Sequence, residues 1–88
     1  MTTNNTSELK PSNGALVLEA TQFPHEDDNH LWTVLCEWNG KFVVWDYNAQ
    51  DGGCYYGVYP NSLEQARITY KTRVHNHKML LKMTEVAQ

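Results

Sequence analysis

The residue types that could carry chemistry gather in three places. His25, Glu26, Asp27, Asp28, Asn29 and His30 form one dense run. Imidazoles and carboxylates are ordinary metal ligands, and a loop can wrap an ion. Here, however, the two histidines are spaced H-x4-H in a loop, with no cysteine pattern to complete a site. A solvated acidic loop accounts for the run, and neither a metal nor any other cofactor is expected. His75 and His77 flank Asn76 further on. They suit the end of a helix, where a cation meets the negative end of the dipole.

Cys36 and Cys54 are the second place. A nucleophilic thiol needs a histidine or a helix N-terminus to lower its pKa, and no signature supplies one. Cys36 reads as a buried, reduced thiol acting as a small hydrophobe. A disulfide to Cys54 is compatible with adjacent strands, but nothing in the spacing requires it. The chain also lacks a phosphate-cradling glycine loop, a dinucleotide fingerprint and a nucleophile elbow. The expectation is a protein that is not an enzyme.

Aromatic residues are the third place. Trp32, Trp38, Trp45, Tyr47, Tyr55, Tyr56 and Tyr59 crowd one short region. Such rings on a sheet can stack single-stranded bases, and the bases after Ser62 can meet phosphates. Yet the formal net charge is −3. Residues 1–60 hold eight acids and two bases; residues 61–88 hold two acids and five bases. The asymmetry suits either a polar partner surface or internal complementarity.

The elements that must position these groups start from LWTVLCEWNGKFVVWDY, residues 31–47. Two β-rich runs flank Asn39-Gly40, whose tolerance of positive φ suits a two-residue hairpin turn. That turn pairs Trp38 with Lys41, Cys36 with Val43, Val34 with Trp45, and Trp32 with Tyr47. One hairpin face then carries the tryptophans and is the expected core, with Val34 and Trp45 at its centre. The other carries Leu35, Glu37, Phe42, Val44 and Asp46, and is too apolar for an ordinary solvent face. It is expected either to bind a protein partner, with Glu37 and Asp46 at the rim, or to lie under residues 1–13 or 79–86.

Residues 1–13 read as a loose tail, and residues 14–88 as one α+β domain. Residues 14–21 and 54–59 read as further strands, completing an antiparallel meander of three to five strands. In the first of these, Leu16, Leu18 and Ala20 alternate against Val17 and Glu19. After Pro60 the period changes. Ser62 with Gln65, or Asn61 with Glu64, fits a capping box. Leu63, Ala66, Tyr70 and Val74 then recur at helical spacing to about residue 75. Arg67, Lys71 and Arg73 on this helix form a second candidate surface. Residues 79–86 read as a last strand, a continued helix or a packed tail. One helix can cover only one face of the sheet. Eighty-eight residues bury only about 60–65% of their unfolded surface, so stability is expected to be modest without association. No apolar run approaches the roughly 18 residues of a membrane span, and the N-terminus lacks a secretory pattern, so the cytoplasm of the producing or host cell is expected.

The segment WTVLCEWNGKFVVWDYNAQDGGCYYGVYPNSLEQARITY resembles small uncharacterised accessory proteins of phages and plasmids. In them a hairpin, a Gly-rich turn, an aromatic-Gly-aromatic strand and a Ser-Leu-Glu helix start follow one another. The resemblance implies a mobile-element protein that binds and inhibits a host or defence complex, as anti-CRISPR proteins do. That class shares no motif, so no functional residue carries over. The expected function is a non-enzymatic protein-binding module, self-association included. The alternative is a small single-stranded nucleic-acid-binding protein.

Overall fold

The computed structural model describes residues 9–24 and 30–86, with side chains described up to residue 80. The elements are β1 (Leu16–Gln22), β2 (Leu31–Trp38), β3 (Lys41–Asn48), β4 (Gly53–Val58) and α1 (Leu63–Val86). The strands form one antiparallel sheet in the order β1-β2-β3-β4, with α1 packed against it, an α+β fold.

The β2–β3 hairpin follows from its turn. Asn39 and Gly40 sit at φ 53° and 75°, the left-handed backbone that a tight hairpin requires. The register runs Trp38–Lys41, Cys36–Val43, Val34–Trp45 and Trp32–Tyr47. Both outer strands carry a bulge. In β1, Val17 pairs with Cys36 and Glu19 with Leu35, leaving Leu18 unpaired. The bulge breaks the alternation expected for this strand: Val17 and Ala20 share the tryptophan face. In β4, Val58 pairs with Val44 and Tyr55 with Asp46. Tyr56 and Gly57 therefore oppose the single residue Trp45, and the strand kinks there.

Ser62 caps α1: its hydroxyl accepts from the Gln65 N–H at 3.1 Å. No Gly or Pro follows Pro60, and residues 79–86 are mostly strong helix formers. The helix therefore continues to Val86 rather than stopping near residue 75. At about 1.5 Å per residue its 24 residues span roughly 36 Å.

The sheet is buried on both faces. Val34 is fully buried and Trp45 is 4% exposed, in one cluster with Val17, Ala20, Cys36, Val43 and Tyr47. On the opposite face, Leu35 and Val44 are 0% exposed under Ala66 and Tyr70 of α1, with Phe42, Leu63 and Val74 packed around them. The helix thus lies on the face expected to be open. The sequence pattern could not choose between the faces, because both are apolar. The physical difference is ring size. Leu35 and Val44 leave room for a helix to approach at Ala66. The tryptophan face fills itself: Trp38 lies 5.5 Å from Trp45, and Tyr59 lies 6.5 Å from Trp45 edge-on.

A peptide strap covers what remains of that face. Leu9 packs on the cluster and Pro11 is buried. The Lys10 N–H donates to the Tyr47 hydroxyl (3.3 Å), the Ser12 N–H to the Gly52 carbonyl (2.8 Å), and the Trp38 indole N–H to the Asn13 carbonyl (3.2 Å). Residues 9–13, read from the sequence as part of a loose tail, belong to the packed body.

Candidate interaction surface

The stripe of Leu35, Phe42 and Val44 is the seat of α1 and offers no open surface at its centre. Its rim is divided. Glu37 is exposed near the hairpin turn. Asp46 is largely covered: its Oδ1 lies 3.5 Å from Arg73 Nη1 and 3.6 Å from His77 Nε2. The Phe23 ring stacks on His77 with centroids 4.1 Å apart. Asp46 therefore ties the middle of α1 to β3 instead of facing a partner.

The second candidate surface is also partly used internally. Arg67 Nε lies 3.3 Å from Glu19 Oε2, and Arg73 is engaged by Asp46. Lys71 remains exposed on the outer side of the helix. Two of the basic helix positions, Arg67 and Arg73, thus meet acids of the sheet.

The aromatic residues divide in the same way. Trp45 and Tyr47 are core, and Trp32 and Trp38 are half-buried beside them. What stays open is the outer edge formed by β4. Tyr55 is 45% exposed, Tyr56 82%, Val58 44% and Tyr59 50%. The helix packs over β2 and β3, which leaves this edge uncovered. The bulge builds it. Gly57 passes close over Trp45, where a Cβ would sit 3.4 Å from the indole. Next to it, Tyr56 turns outward at φ 59°. Left-handed backbone is unfavourable for a bulky residue, and glycine would take it freely. At Tyr56 the fold accepts that strain for a ring that returns almost no packing to it.

Asp51 organises the start of the edge. Its Oδ1 accepts from the Gly53 N–H at 2.7 Å and its Oδ2 from the Tyr55 hydroxyl at 3.1 Å. The bond to the carboxylate holds the Tyr55 phenol above its usual pKa. At the other end, Lys41 and Tyr59 share a shallow surface hollow with Phe42 and Asn61. The Tyr56-Gly57 step carried the signal for this surface, since a glycine within a strand marks a bulge or a close approach.

Both thiols are free. Burial pushes Cys36 up to about 12, only partly offset by the Trp45 indole, and pushes Cys54 up to about 11. Neither is a thiolate near neutral pH. Among the described residues no three His, Cys, Asp or Glu side chains cluster as metal ligands. Residues 25–29, most of the acidic run, lie outside the described residues. Among the described residues no helix is long and apolar enough to cross a membrane. Compared with models of protein families, with curated proteins and with solved structures, the chain matches none.

Proposed function

We propose that the chain is a non-enzymatic protein-binding module that docks through the tyrosine edge of β4. The observation that carries the reading is Tyr56, 82% exposed and held at φ 59°. A residue that costs the fold stability and packs against little of it is explained by a contact outside the chain. Tyrosine is favoured at protein interfaces because it offers a rigid ring and a polar tip together. The resemblance to phage and plasmid accessory proteins makes the partner a host or defence complex in the cytoplasm, which the module would inhibit, or another copy of the module. Nucleic-acid binding has less support. Arg67 and Arg73 already face carboxylates, and Trp45 is core.

The test is capture of partners from host lysate by the wild-type chain and by Tyr56→Gly. The wild type is expected to retain a protein that the folded variant does not. Equal capture by both, with self-association also unchanged by Tyr56→Gly, would remove the β4 edge from the function.

A further inference from the structure

We propose that Asn39 is a site of spontaneous covalent modification in the folded chain, with the Gly40 backbone nitrogen as the internal nucleophile and water as the co-reactant. The inference is independent of the reading of the β4 edge.

The chemistry needs an asparagine followed by a residue whose backbone nitrogen can reach the side-chain amide. Glycine is the best follower, because it has no side chain to obstruct the approach. The Gly40 nitrogen gives its proton to solvent base and bonds to Asn39 Cγ. The bond from Cγ to Nδ2 breaks, and ammonia leaves. A five-membered imide remains. Water then opens it at one of its two carbonyls. One opening gives an ordinary aspartyl residue at position 39; the other gives an isoaspartyl link, in which the main chain runs through Cγ. The net change is one water consumed and one ammonia released.

The chain has three steps of this kind: Asn13-Gly14, Asn39-Gly40 and Asp51-Gly52. The fold treats them differently. At the first, the Gly14 N–H donates to the Pro11 carbonyl at 3.0 Å, and Asn13 Oδ1 accepts from the Ala15 N–H at 3.0 Å. At the third, the Gly52 N–H donates to the Asn48 carbonyl at 2.8 Å, and both Asp51 oxygens accept hydrogen bonds. In each case the attacking nitrogen is engaged and the side chain is held. The hairpin tip is different. In a two-residue turn the flanking pair, Trp38 and Lys41, makes the cross-strand bonds, which leaves the Gly40 N–H outside the ladder. Asn39 and Gly40 are both exposed, and a Cβ built at Gly40 meets nothing within 4 Å. Asn39 can therefore rotate toward the attack geometry by moving the tip alone, with both cores intact.

The product matters to the element it sits in. The isoaspartyl link lengthens the main chain at the turn that pins the register of β2 and β3. Both products replace an amide by a carboxylate, so the chain becomes more negative by one charge.

The test is to hold the full chain in mildly alkaline buffer for weeks and follow it by anion exchange and by peptide-mapping mass spectrometry. A later-eluting species is expected, with the mass gain of a hydroxyl replacing an amino group, assigned to Asn39. In the folded chain Asn39 should react at least about tenfold faster than Asn13, since only Asn13 needs its strap opened first. In urea the two Asn-Gly steps should react at comparable rates, because the fold no longer separates them. Asn39→Gly keeps residues that suit the turn and should abolish the new species. An unmodified Asn39, a folded chain in which Asn13 reacts as fast, or the same species persisting in Asn39→Gly would overturn the proposal.

Discussion

Trp45 and Leu35 lie on opposite sides of one sheet, and both are buried. Their substitutions report on the two cores separately. Trp45→Ala is expected to cost about 3–5 kcal/mol and Leu35→Ala about 2–5 kcal/mol. Comparable losses in thermal or denaturant unfolding would confirm two working cores; a near-silent Leu35→Ala would mean that α1 does not sit on that face. Phe42→Glu, beside Leu35, should likewise lower stability, because a charge would enter the helix seat. The two arginine contacts should separate as well. Arg67 pairs with Glu19 at an exposed site, so Arg67→Ala should change stability by less than about 1 kcal/mol. Arg73 meets a largely covered Asp46, so Arg73→Ala should cost more than Arg67→Ala in the same unfolding assay. Equal effects would show that Asp46 is hydrated despite its burial.

At the scale of elements, the sheet needs both of its covers. The helix supplies one through Leu63, Ala66, Tyr70 and Val74, and the Tyr70 hydroxyl also hydrogen-bonds Thr21 on β1. The strap supplies the other with far fewer residues, because the rings beneath it pack on one another. Deleting residues 1–13 should therefore expose Leu9's place on the cluster and the Trp38 indole. The expected result is a lower melting temperature and a red-shifted tryptophan emission. An unchanged spectrum would mean that the rings are covered without the strap. The length of α1 was open in the sequence for a related reason. Residues 79–86 have helix-forming side chains, but their spacing alone does not say whether a sheet edge is available to take them as a strand.

At the scale of the molecule, the groups with resolved shifts among the described residues all move the same way. Cys36, Cys54, Tyr55 and Tyr70 are each raised in the folded chain, burial leading for all but Tyr55, where the Asp51 bond leads. These are acids that ionise more readily when unfolded. Below their unfolded pKa values both states are neutral and this stability is fully present. As pH rises past about 9 the unfolded chain loses protons first, so stability falls until the folded groups ionise, near 12 for Cys36. Denaturation midpoints should thus drop between pH 8 and pH 10.5, and Cys36→Ala should reduce that drop. A flat profile would show that Cys36 is not desolvated.

Features that depend on neighbours along the chain are legible in the order of residues. Asn39-Gly40 set the turn and with it every pair in the central hairpin, since a two-residue loop admits one register. Ser62 set the start of α1, because capping is local chemistry. The apolar positions at helical spacing named the buried side of the helix. Tertiary structure alone decided which face that side would cover. Period-2 alternation divides a strand's residues into two sets but does not rank two apolar sets. The choice fell to ring size, helix approach and a strap from the distant N-terminal segment. The two bulges were likewise decided by packing. Each inserts one residue and changes which side chains share a face, so Leu18 left the core row and Tyr56 left the sheet for solvent. The expected interface around Leu35, Phe42 and Val44 became core for the first reason, and the tyrosine edge came to light for the second.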